Sequence, residues 1–352
     1  AEYKSTLTND ELEELVKKTK ELKEYQDTPS SQEDLEKIPM LELSDIKREP
    51  AKDYNDVKSV DGIKIVHHNI FTNKIAYINM SFDTKCVPDE LIPYMGLLGS
   101  TLSLMDTKNY TYPELTNEIN INCGGLATGT ALYSDKVDFS KNTIVYEVKS
   151  KALYEKVPFV LGMMEEIMYN TRFDDYKRLK EIIARIKSRL EASLMGQGHS
   201  IAMLECCAQF SESAYYSDIL RGYKYYEFIK KLDEEFEQNK TQIVDKLNKL
   251  VGYIFNKDNV IVSLTADDEG YDCFVKALSA KSCNIKDEHY NTAVRSFIPV
   301  NVKTGYTSAS QVQYVARCGN FVKDGYKYTG ALKVLKVIFS YDYLWINVRV
   351  KG

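Results

Sequence analysis

Residues 61–82 read DGIKIVHHNIFTNKIAYINMSF, and this stretch decides the fold class. Gly62–His68 and Ile75–Phe82 each alternate apolar and polar side chains, as a half-buried strand does. Ile70, Phe71, Thr72, Asn73 and Lys74 supply a turn, so a hairpin of the two strands is the economical expectation. The period then changes. From Pro88 to Met105, Leu91, Ile92, Met95, Leu98, Leu102 and Met105 recur at three- and four-residue steps, which predicts a helix with one strongly apolar face. Thr111–Asn122 predicts a second helix, with Pro113 in its first turn and Leu115 and Ile119 one turn apart. Cys123-Gly124-Gly125 ends it before an extended Leu126–Ser134, and the whole predicts a sheet with helices on one face.

Composition bounds what surrounds this unit. The 352 residues are 44% hydrophobic and 11% aromatic, ample for ordinary cores and long enough for two domains. A net charge of −5 over 28% well-mixed charged residues offers no basic field for nucleic acid, and no apolar run approaches the roughly 18–20 residues of a spanning helix. The expectation is a soluble protein with neither nucleic-acid nor membrane partners. Seven cysteines, an odd number without a CxxC pair, fit reduced thiols of a cytosol-like compartment better than a disulfide framework or a zinc–cysteine site. No targeting segment is visible, and the apolar run YLWINVRV just before the last two residues suggests a piece excised from a longer polypeptide.

On the N-terminal side, residues 7–26 predict an amphipathic helix, with Thr8 and Glu11 spaced as a capping box. A short helix follows over Ser31–Lys37, closed by Pro39, and then an extended arm and a polar linker to about Asp61. On the C-terminal side a strand is expected over Asn142–Lys149, helices over Leu153–Tyr169, Phe173–Leu194, Ser200–Phe210, Tyr223–Leu232 and Glu235–Gly252, a strand over Val260–Leu264 and a helix over Asp267–Leu278. Beyond it, a strand at Gln311–Arg317, a helix at Thr329–Tyr341 and a strand at Tyr343–Val350 read as the opening of a further α+β unit.

Groups able to do chemistry are scarce. The four histidines are His67, His68, His199 and His289, and no two have the spacing that puts both imidazoles of a helical zinc protease on one metal. Asp287-Glu288-His289 approaches HxxEH, but Ile285 stands where the first histidine would be. His67 and His68 should point to opposite faces of their strand, one packed and one solvated. Gly196-Gln197-Gly198-His199 reads as a turn between helices, lacking the strand and GK[ST] of a phosphate loop. Ser103 and Ser193 have no GxSxG surround, Cys206 and Cys207 read as core thiols, and the 26 tyrosines do not cluster on a basic surface.

The arrangement itself carries a likeness. The arm LTNDELEELVKKTKELKEYQDTPSSQEDLEKIPMLELSDIKRE, then DGIKIVHHNIFTNKIAYINMSF, the helix LIPYMGLLGSTL with its sequel YTYPELTNEININCGGL, and finally YDYLWINVRVKG resemble the presequence-protease (falcilysin-like) branch of the insulinase/pitrilysin zinc metallopeptidases. The likeness runs over essentially the whole chain. It implies an α+β fold of the metallopeptidase type, an α/β sandwich with a mixed sheet covered by helices, preceded by a helical hairpin linker. Such enzymes have four related domains in two halves that close into a chamber digesting unfolded peptides. By resemblance, residues 1–54 are the hairpin linker, 55–285 the third, non-catalytic domain and 286–352 the start of the fourth.

The family's HxxEH lies on the helix after the first strands of the first domain. Here Pro93-Tyr94-Met95-Gly96-Leu97 stand in that neighbourhood, so no zinc ligand carries over and the zinc belongs to the full-length parent. One residue does carry over. Arg349 in NVRVKG matches a strand-end arginine that touches substrate backbone, a role suited to the paired donors of a guanidinium; its partner tyrosine would fall six positions on, past the last residue. The implied function is a non-catalytic C-terminal-half segment of a zinc-dependent oligopeptidase, inactive alone, forming chamber wall and substrate surface. Its partners would be unfolded peptides and the N-terminal catalytic half, its place the bacterial cytoplasm or a mitochondrial matrix, and its acidic wall would favour basic peptides. The alternative is a stand-alone binding or scaffold subunit paired with a separate catalytic chain.

Overall fold

The computed structural model describes residues 7–50, 54–138, 141–280, 284–307 and 311–351, so Cys283 and the outermost residues of the chain lie outside the account. Two compact units are present, Ala1–Asp53 and Tyr54–Gly352. In the first, α1 (Asn9–Asp27) starts at the expected capping box: the Thr8 hydroxyl accepts from the Glu11 N–H at 3.3 Å, and the Glu11 carboxylate accepts from the Thr8 N–H at 2.8 Å. The short α2 (Gln32–Glu36) and a 3₁₀ turn at Leu43–Asp45 follow.

The second unit is built on a six-stranded mixed sheet in the order β1-β2-β6-β3-β5-β4. Its strands are β1 (Asp56–Val60), β2 (Ile63–Asn69), β3 (Ile75–Asp83), β4 (Leu126–Ser134), β5 (Asn142–Leu153) and β6 (Val260–Ala266). Two expectations change here. β2 and β3 do not form a hairpin, because β6 lies between them, parallel to β2 and antiparallel to β3. β6 buries Val260, Val262, Leu264 and Ala266, and the sheet's centre is where such a strand loses most apolar surface to the core. The hairpin that does form joins β1 to β2 through Asp61-Gly62, both at positive φ (51° and 82°), as a tight two-residue turn requires. Residues 56–60 had read as linker because only Val57 and Val60 are apolar; the Asp-Gly pair was the signal to use.

Helices cover one face. Around α3 (Ile92–Thr101) gather α4 (Tyr112–Asn122), α5 (Val157–Tyr169), α6 (Tyr176–Gly196), α7 (Gly198–Ala208), α8 (Glu212–Arg221), α9 (Tyr223–Glu234), α10 (Phe236–Ile254) and α11 (Asp268–Ser279). Leu91, Ile92, Met95, Leu98, Leu102 and Met105 are all buried as the periodicity requires, and Tyr94 and Leu97 are buried as well. A helix apolar on every side belongs in the interior, and α6, α8, α9 and α10 enclose the side of α3 turned from the sheet. α8 was not foreseen, because Ser217 and Asp218 sit among its buried positions and blur the apolar stripe.

The C-terminal stretch departs most from expectation. Residues 284–307 run extended along the unit, held by Lys257 N–H to Lys286 O (2.8 Å), Ala293 N–H to Lys85 O (2.9 Å) and Val300 N–H to Gln209 O (2.8 Å). Gln311–Arg317 is not a strand; α12 spans Ala331–Ile338, and Phe339–Val350 continues as wide helical turns where a strand was expected over Tyr343–Val350. A strand needs a neighbour to pair its N–H and C=O groups, and none lies alongside among the described residues; a helix satisfies them locally.

Candidate functional site

Strand alternation divides the sheet into a packed face and an open one. On the open face lie Tyr77 and Asn79 of β3, Tyr133 of β4, Glu147 and Lys149 of β5 and Ser263 of β6, in register across four neighbouring strands. Glu147 is their centre. Its Oε1 accepts from Asn79 Nδ2 and from the Tyr133 hydroxyl, both at 2.9 Å, and its Oε2 pairs with Lys149 Nζ at 2.6 Å. Burial opposes ionisation of this carboxyl, but Lys149, Asn79 and Tyr133 together outweigh it and hold the group below the ordinary glutamate value. Tyr77 and Tyr133 are 44% and 54% exposed, so the face offers aromatic surface and satisfied polar groups to whatever lies over it.

The residues singled out in the sequence are scattered. Arg349 is exposed on the helical run Phe339–Val350 and makes no side-chain hydrogen bond or ion pair among the described residues. His67 is packed, 1% exposed, its Nε2 2.9 Å from Ala266 O and its ring 4.6 Å from that of Tyr271. His68 is half-buried on the other face, bridging Tyr54 O and Ser263 Oγ at 3.0 Å each. Gly196 closes α6 and Gly198 opens α7, the expected helix-to-helix turn. Cys206 and Cys207 are half-buried beside Cys318, and burial pushes Cys206 and Cys318 up, leaving protonated thiols at neutral pH.

Asp287 and His289 do meet a third possible ligand, Asp258, with one ligand atom of each within 4.8 Å of the others. This is the one such group among the described residues. It is exposed and His289 bonds directly to Asp258, so an ordinary surface ion pair accounts for it. α3 carries no histidine, cysteine or acidic residue, and Tyr94, Met95 and Leu97 are buried in apolar surroundings. The donor set a peptidase zinc requires is therefore not on this helix.

What the sequence did not single out is a groove on the far side of α3. Gly96 and Gly99 thin the helix there: a Cβ at Gly96 would stand 2.7 Å from the Tyr225 ring, and one at Gly99 would stand 3.2 Å from Gly129 Cα. Tyr225 and β4 approach the helix backbone accordingly. Arg185, Arg189 and Arg221 border the opening. Nothing in the local pattern marks these residues, since α6 and α8 contribute them from sequence positions far from α3 and β4.

Fold and surface define an α+β unit with a mixed sheet, helices on one face and the other face open. The sequence profile of the family described as peptidase M16 subfamily C associated matches residues 1–232. The chain belongs to that family, the region associated with presequence-protease-like peptidases. It is 38% identical to "Protein HypA" of Clostridium perfringens, over 100% of this chain and 36% of that protein. It is 28% identical to "Presequence protease 1, chloroplastic/mitochondrial" of Arabidopsis thaliana, over 99% and 32%. With "Presequence protease, mitochondrial" of Yarrowia lipolytica it shares 25% over 98% and 35%. The chain thus spans about a third of the length of these relatives. No helix among the described residues is long and apolar enough to cross a membrane.

Proposed function

We propose that this chain is the non-catalytic C-terminal-half segment of a zinc-dependent oligopeptidase that degrades unfolded peptides, and that it forms chamber wall and part of the substrate surface. The observation that carries the reading is the sheet face left open beside a central helix without a metal ligand, in a chain of the peptidase-associated family. An uncovered sheet face with exposed tyrosines suits transient contact with many peptides, and the outer strand β4 offers unpaired backbone groups for β-augmentation. In this reading residues 1–54 link the halves, 55–285 form the wall and 286–352 open the next domain, with Arg349 facing substrate. The catalytic half of the same polypeptide supplies the zinc. The compartment is the bacterial cytoplasm, or the mitochondrial matrix in a eukaryote.

The test is cleavage of an unstructured fluorogenic peptide by the purified chain, with and without a zinc chelator, and again after addition of the catalytic half. The expected result is no turnover alone and chelator-sensitive turnover of the reconstituted pair. Chelator-sensitive turnover by the chain alone, or a catalytic half whose activity this chain leaves unchanged, would overturn the reading.

A further inference from the structure

The groove between α3, β4, α6 and the end of α8 has a volume of about 660 Å³. Three arginines border it, Arg185 and Arg189 one turn apart on α6 and Arg221 at the last position of α8, and no acidic side chain lines it. In a chain of net charge −5 this is a local reversal of sign. None of the three makes an ion pair or a side-chain hydrogen bond among the described residues. Like charges at i and i+4 repel, so nothing within the helix favours the arrangement.

A second feature lies behind the arginines. Tyr225 is 4% exposed, and its hydroxyl has no hydrogen-bond partner among the described residues. Burial pushes this phenol up and Arg189 pulls it partly back, which places that guanidinium within electrostatic reach of the hydroxyl. Tyr146, fully buried next to Gly99, has an orphan hydroxyl too. Buried polar groups are rarely left unbonded, and a donor directed toward unpaired cations is what a bound anion would satisfy.

We propose that the groove is an oxyanion-binding site for a carboxylate carried on an extended acidic peptide. Arg185 and Arg189 hold the carboxylate through their paired N–H donors, Arg221 adds charge from the opposite wall, and the Tyr225 hydroxyl donates the bond it lacks in the free protein. β4 makes the peptide the carrier: it is the outermost strand, and Thr128 and Thr130 line the groove, so a chain added along its free edge brings a side-chain carboxylate to the arginines. The assignment rests on the proposed peptide-handling role for the carrier alone. It also runs against a uniformly acidic wall selecting basic peptides.

The experiment is fluorescence anisotropy on the whole chain with a labelled glutamate-containing peptide of about ten residues, the same peptide with glutamine for glutamate, and inorganic phosphate as competitor. The acidic peptide should bind at least about tenfold more tightly than its glutamine counterpart, the usual size of a lost charge-assisted bond. Arg189→Ala and Arg185→Ala should each weaken it about tenfold, and Tyr225→Phe by a smaller factor, at unchanged melting temperature for the exposed arginines. Phosphate binding without peptide binding would retain the oxyanion site and overturn the peptide carrier. Failure of both to bind, or affinity unaffected by the arginine and tyrosine variants, would overturn the site. The turnover assay above is independent of either outcome.

Discussion

Gly96→Ala tests how closely the helical layer is fitted around α3. In an open helix this change raises stability by about 1 kcal/mol, because glycine is the poorer helix former. Here the new methyl would lie 2.7 and 2.9 Å from Cε2 and Cζ of Tyr225 and 3.0 Å from the carbonyl oxygen of Leu220. The ring is buried and the carbonyl belongs to the backbone at the end of α8, so neither has free space to retreat into. Overpacking of this kind costs about 1–3 kcal/mol, and after the propensity gain the variant should be roughly 1–2 kcal/mol less stable. Urea unfolding followed by far-UV circular dichroism should show a lower midpoint at unchanged slope. In a Tyr225→Ala background the penalty should shrink by about 1 kcal/mol, the coupling expected of residues in contact. Gly129→Ala is the control, since a Cβ there meets nothing within 4 Å and should be neutral or slightly stabilising. A Gly96→Ala protein at least as stable as the parent, or one losing the same amount with and without Tyr225, would refute the fitted-interface argument.

Two further predictions concern the core and a titrating pair. Phe255 is fully buried with its ring edge-on to those of Phe82 (5.1 Å), Tyr146 (5.5 Å) and Tyr169 (6.2 Å), so Phe255→Ala should cost about 3–5 kcal/mol in the same unfolding assay, and a loss below about 1.5 would show that the cluster can collapse. Glu205 is pushed above the ordinary carboxylate value by burial and by the neighbouring Asp218. Its folded form therefore keeps its proton after the unfolded form, at about 4.3, has lost it, and the associated stability is present below that pH and is lost as pH rises through the folded value. Glu205→Gln removes this dependence. Comparing unfolding midpoints at pH 5 and pH 8 should show the parent losing stability relative to the variant, and identical pH responses would reject the assignment.

Local chemistry made much of this protein readable in advance. The capping boxes at Thr8 and Thr111, the apolar series from Leu91 to Met105 and the alternation in 63–69 and 75–83 depend on residues within a few positions of one another, and each produced the element it predicts. The absence of histidine and acid from α3 was legible for the same reason. Strand order was not. β6 is separated from β2 and β3 by almost the whole unit, and its place between them follows from the burial available at the sheet's centre, which no short window contains. Residues 343–350 show the converse: their apolar run suits a strand, but a strand exists only with a partner, and without one the backbone bonds to itself. The groove belongs to the same category. Arg185, Arg189, Arg221 and Tyr225 become one charged cavity only because two glycines let Tyr225 and β4 close on α3, and the proximity of side chains from four elements is a property of packing alone.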